Sequence, residues 1–194
     1  RDPRGKTAAR HSVVREGTKA IMDTAQDYLL NLNREHYAFV GVPVKAVWNE
    51  LRLAMFKQRM KAKGKPYTIL SYADAANPQV VAQLPRKCGI LGCTDKMAQI
   101  VLQSARISGR QIPDDISVVG IDNEVLVCEA QSPGITSVEI DLHRAGYKLG
   151  ELLGRLMDDP MASPQTVTYG PSYINYRGSS RILQHPTAKI QSDL

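Results

Sequence analysis

Short uncharged runs of apolar residues alternate along this chain with longer stretches in which apolar residues recur every three or four positions. The runs at 36–42, 66–72, 88–93 and 116–121 read as strands, too short for ordinary helices and largely apolar, and 135–140 reads as a further strand. The intervening stretches read as helices. Residues 18–32 carry the stripe Ile21, Ala25, Tyr28, Leu29 and Leu32, and residues 47–60 place Leu51, Met55 and Phe56 towards a core. The helix after Asp95 turns Met97, Ile100, Val101 and Ala105 inward and Lys96, Gln99, Gln103 and Arg106 outward, and Gly109 stops it. Asp141 caps a last long helix, to about Met157, with the stripe Ala145, Leu149, Leu152, Leu153 and Leu156; Asp158-Asp159-Pro160 closes it. Shorter helices are expected near 78–84 and 124–132, a short strand at 11–14, and edge strands at 167–169 and 173–176.

Strands separated by helices imply parallel pairing through right-handed crossovers, so the expected class is α/β, a parallel sheet flanked by helices. In such sheets ligands sit beyond the carboxyl ends of the strands. Asp95 and Asp122 stand at two such ends, where paired carboxylates suit a ligand rich in hydroxyl donors. Each has a plainer alternative: helix N-cap for Asp95 and turn residue for Asp122. The first turn of the 47–60 helix adds Trp48, Asn49 and Arg52. A guanidinium can donate paired hydrogen bonds to vicinal oxygens, and an indole face can cover the apolar side of a sugar ring. An ion pair of Arg52 with Glu50 or a neighbour, and simple packing of Trp48, are the competing readings.

Composition narrows the classes. Charged residues make up 23% and hydrophobic ones 43%, the balance of a globular protein. No apolar run approaches a membrane span and no secretory pattern opens the chain. The three cysteines, Cys88, Cys93 and Cys128, lack paired metal spacing and read as buried thiols of a reducing cytoplasm. The net charge of +6 gathers in 1–19 and 57–65 without a helix-turn-helix, zinc-finger or basic-zipper pattern, which favours a basic surface over a nucleic-acid interface. The chain has no glycine-rich phosphate turn, and His11, His36, His143 and His185 are scattered without patterned partners. No enzyme, metal or cofactor is therefore expected.

The strings CTDKMAQIVL and IPDDISVVGIDNE resemble the effector domain of the lactose and galactose repressor family, whose fold is shared with periplasmic sugar-binding proteins. PDDISVVGID is the most specific part. The resemblance implies a type I periplasmic-binding-protein-like fold of two lobes with the first incomplete. It divides the chain into a first-lobe remnant (1–35), a ligand-binding second lobe (36–134), a return helix of the first lobe (135–163), closing strands (164–181) and a tail or linker (182–194). It assigns sugar hydroxyl binding to Asp122, matches Arg52 to the family's ligand arginine, and places Thr94-Asp95 where an Asn-Asp pair is usual. At Glu16 many relatives carry aspartate, and only a weak ligand role is expected there. Trp48 to Phe56, and the string YRGSSRI, are similar to the subgroup that regulates xylose operons. The implied function is a cytoplasmic sugar sensor, with xylose the expected inducer, homodimeric and bound to DNA through a domain outside this chain. A periplasmic sugar carrier is the alternative.

Overall fold

The computed structural model describes residues 11–159 and 161–181. The expectations for 1–10, Pro160 and the tail 182–194 lie outside the described residues. In chain order the elements are β1 (Val13–Glu16), α1 (Thr18–Asn31), β2 (His36–Val40), α2 (Val47–Ala62), β3 (Tyr67–Leu70), α3 (Tyr72–Ala75), α4 (Pro78–Ala82), β4 (Cys88–Gly92), α5 (Asp95–Ile107), β5 (Ile116–Asp122), α6 (Val125–Glu129), β6 (Thr136–Ile140), α7 (Leu142–Asp158), β7 (Thr166–Tyr169) and β8 (Pro171–Asn175).

Six strands form one sheet in the order β3-β2-β4-β5-β6-β8. All neighbours are parallel except β8, which runs antiparallel to β6. β2, β4 and most of β5 are buried on both faces, which is why they lack charge; Phe39, Ile90, Leu91 and Ile121 are fully inaccessible. Helices α1 and α2 pack together on one face, while α5 crosses β4 and β5 with α3, α4 and α6 beside it. The chain steps from β2 outward to β3, then returns to place β4 on the other side of β2. The winding therefore reverses between β2 and β4, and a crevice opens beyond their carboxyl ends.

A second sheet pairs β1 with β7 in parallel, and α7 lies against it. Two expectations about the lobes change here. Helix α1, expected in a first-lobe remnant, packs on β4, β5 and β6 of the large sheet through Ile21, Ala25 and Leu29. Strand β6, expected to carry the chain back to the first lobe, is bonded to β5 from Val119↔Thr136 to Asp122↔Glu139. The physical reason is the same in both cases: their apolar residues find the large sheet, which can cover them, and β1-β7 cannot.

Helix α7 begins where expected, with the Asp141 carboxylate accepting from the Arg144 backbone N–H at 2.8 Å. Its stripe does not become a core. Leu152 is buried, but Leu149 and Leu153 are 56% and 57% exposed, because a two-stranded sheet covers only one narrow line of the helix. On α2, Leu51 is 49% exposed, whereas Asn49, Arg52, Phe56 and Met60 face inward. Strand β3 is shorter than expected, since Ser71 and Asp74 form a reciprocal capping box that starts α3 at Tyr72. No helix among the described residues is long and apolar enough to cross a membrane.

Candidate functional site

Arg52 is the centre of the rim. Its side chain is 3% exposed, and Nη2 reaches both carboxylate oxygens of Glu16, at 3.2 and 3.1 Å. Nη1 donates to the Cys93 carbonyl, tying α2 to the end of β4 across the crevice. The guanidinium carbon lies 5.1 Å from the centre of the Trp48 ring, within cation–π range. Glu16 is itself fixed by Thr18 Oγ1, which donates to its Oε1 at 3.1 Å. The ion pair foreseen for Arg52 with Glu50 or a neighbour is thus made with Glu16, thirty-six positions away. Trp48 packs on the core and its ring lies over Arg52, in keeping with the packing reading.

Asp122 ends β5 with φ at 109°, a backbone region that side chains rarely occupy. Burial pushes its carboxyl up to about 7; the Arg52 charge opposes this, and the carboxylates of Asp95, Glu16 and Glu124 add to it. Among the described residues no group donates a hydrogen bond to its carboxylate. Arg52 Nε and Asn123 Oδ1 are likewise buried without a partner among the described residues. Those two atoms are enclosed, so of these groups only the partly exposed Asp122 carboxylate has hydrogen-bonding capacity open to a ligand. Beside Glu16 and Trp48 runs a cleft of ≈ 500 Å³, lined also by Arg15, Thr18, Leu51 and Thr168.

The other candidates do not join them. Asp95 is 1% exposed and turned into the protein, both carboxylate oxygens engaged: Oδ1 accepts from Ser137 Oγ at 2.5 Å and Oδ2 from the Glu124 backbone N–H at 2.6 Å. Burial raises its carboxyl, and those two hydrogen bonds oppose the rise. It is not the N-cap of α5 either, because Thr94 takes that position and accepts from the Met97 N–H at 3.5 Å. Asn49 is buried and accepts from the Val42 N–H at 3.3 Å, bracing the loop after β2. Local sequence patterns undervalue Glu16 and miss Ser137. A clue to Ser137 exists: adjacent hydroxyls, Thr136 and Ser137, open the strand, and buried hydroxyls need partners. All three cysteines are buried free thiols, and burial pushes Cys88 to about 12, Cys93 to about 11 and Cys128 to about 12.

A doubly wound parallel sheet with a carboxylate, a buried guanidinium and an indole at the carboxyl ends of its strands is an α/β architecture of the open-sheet class, with its crevice where the winding reverses. Residues 26–180 match the periplasmic binding protein-like domain, and the chain belongs to that family. It is similar to the xylose operon regulatory protein of Haemophilus influenzae, 25% identical over 173 residues that cover 83% of this chain and 45% of the relative. The transcriptional regulator CelR of Thermobifida fusca is 28% identical over 138 residues, covering 66% of this chain and 40% of that protein. Among solved structures, a xylose-binding transcription activator superposes with a TM-score of 0.80 at 22% identity, covering 92% of this chain and 50% of that one. A CelR–cellobiose complex gives 0.73, also at 22%, covering 91% and 56%. The resemblance to lactose and galactose repressor-type effector domains therefore stands. The chain spans about half the length of the curated relatives it matches. Those relatives are transcription regulators by name.

Proposed function

We propose that this chain is the sugar-sensing part of a bacterial transcription regulator and that its ligand is a pentose, with xylose the first candidate. The observation that carries the reading is the Asp122–Arg52 pair at the rim: an acceptor with no donor of its own among the described residues, beside a buried guanidinium already oriented by Glu16 and Cys93. Hydroxyls of a sugar would donate to Asp122 while ring or hydroxyl oxygens accept from Arg52, and Trp48 would wall the pocket. Each charge-assisted bond is worth roughly 1.5 to 3 kcal/mol, so a pair of them at Asp122 accounts for about a hundredfold or more in affinity. The names of the relatives favour a regulator over a carrier.

In this reading sugar favours one arrangement of two lobes over another, and that difference in affinity shifts an attached DNA-binding domain. The working protein is a cytoplasmic homodimer that contacts DNA through a domain outside this chain. The test is titration calorimetry of D-xylose and D-ribose into the full-length protein and its Asp122→Ala variant. Binding by the wild type that vanishes in a variant with an unchanged circular dichroism spectrum supports the proposal. Equal heats from both proteins would refute the assignment of Asp122.

A further inference from the structure

Asp95 cannot reach a ligand, yet it stands on the machinery that aims Asp122. Two successive residues, Asp122 and Asn123, have φ values of 109° and 51°, and neither is glycine. Such a turn persists only where its surroundings over-determine it. Here they do. The Glu124 N–H that follows the turn donates to Asp95 Oδ2 at 2.6 Å. The Asn123 N–H inside it donates to Ser137 Oγ at 3.1 Å, and that hydroxyl in turn donates to Asp95 Oδ1 at 2.5 Å. The Asn123 side chain is held separately, its Nδ2 donating to Glu139 Oε2 at 2.8 Å, which also accepts from Asn175 Nδ2 at 3.0 Å. Strand β5 is shaped around this clamp: a Cβ at Gly120 would come within 2.1 Å of Asp95 Oδ1, so only glycine leaves room for the carboxylate.

We propose that Asp95 and Ser137 are positioning residues that hold the Asp122–Asn123 turn in its left-handed conformation and thereby set where Asp122 presents its carboxylate. The last step rests on the sugar-binding reading; the clamp itself does not. One carboxylate thus fixes the next backbone amide along on one oxygen and, through a hydroxyl relay, the amide before it on the other. Specificity for the hydroxyl pattern of a sugar would depend on this relay, although none of its atoms touches the ligand.

The experiment uses Ser137→Ala, which removes the relay without introducing bulk, and measures three things in the same preparations of full-length protein. Amide hydrogen exchange at Asn123 and Glu124 should be about tenfold faster than in wild type while exchange in β2 and β4 is unchanged. D-xylose or D-ribose affinity should weaken about tenfold in Ser137→Ala and stay near wild type in Leu152→Ala, which also lowers Tm, a split that a loss of general stability does not produce. Asp95→Asn, isosteric but presenting an amide where two donors point, should exceed Ser137→Ala in both readouts; if it fails to fold, the Ser137→Ala comparison decides alone. Unchanged exchange at Asn123 and Glu124, or faster exchange with wild-type sugar affinity, would overturn the proposal. If wild-type protein binds neither pentose, the sugar reading falls, and the exchange data still decide whether the clamp holds the turn.

Discussion

Replacing Asp122 with asparagine separates the site's electrostatics from its shape, because Asp122→Asn keeps the outline of the side chain and leaves it no proton to lose. In the folded chain the carboxyl titrates near 7 instead of its ordinary 3.8, chiefly because burial disfavours the charge. A carboxyl whose folded value is raised weakens the fold as pH climbs. Below about pH 4 neither state is ionised and nothing is lost. Between about 4 and 7 the unfolded chain releases the proton and the folded chain keeps it, so stability falls; above 7 the loss is constant. Roughly three pH units correspond to ~4 kcal/mol at 1.36 kcal/mol per unit, which partial exposure of the group reduces to about 2. Urea unfolding of both proteins, followed by far-ultraviolet circular dichroism at pH 5 and pH 8, should show the variant gaining on the wild type by about 1 kcal/mol over that interval. A stability difference that stays constant between the two pH values would refute the argument. Sugar binding should move the opposite way, weakening in the wild type below about pH 7, because hydroxyl donors prefer the ionised carboxylate.

Arg52→Ala strands Glu16 and Asp122 without their counter-charge; with Arg52 buried and Glu16 partly exposed, a loss of about 3 kcal/mol is expected in thermal or urea unfolding, and an effect below 1 would contradict the buried-pair geometry. On α7, Leu152→Ala should destabilise this chain by about 2 kcal/mol and Leu153→Ala by less than about 0.5, as measured by unfolding midpoints; equal effects would contradict the observed orientation of the helix.

Much of this architecture is legible in single-sequence patterns, and the failures have local causes. Strands β4 and β5 stand out because a sheet covered on both faces tolerates no charge between Cys88 and Gly92 or between Ile116 and Ile121. Asp122 is legible for the same reason: a carboxylate ending such a run must lie at the rim. The rule misplaces Asp95, since one residue of helix offset decides whether a carboxylate looks outward or is drawn under the neighbouring strand. Its partners, Glu124 and Ser137, lie 29 and 42 positions away, beyond any local window. The Arg52–Glu16 pair is hidden likewise, since nothing near either residue announces the other. Periodicity locates α7 but not its surroundings: an apolar stripe tells which residues need cover, and only the fold tells how much cover exists.

The parallel pairing of β1 with β7 joins Val13 to Thr166 and Glu16 to Tyr169, nearly the full span of the described chain. On a ribosome, which delivers the amino end first, β1 must wait for β7 to emerge before it can find that partner, while β2 and β4 can already be laid down. Glu16, at the end of that waiting strand, reaches Arg52 only afterwards. The Glu16 side of the rim therefore closes only once β7 has been made, and a chain stalled before that point would carry β2 to β6 of the large sheet, still without β8, around an unfinished mouth.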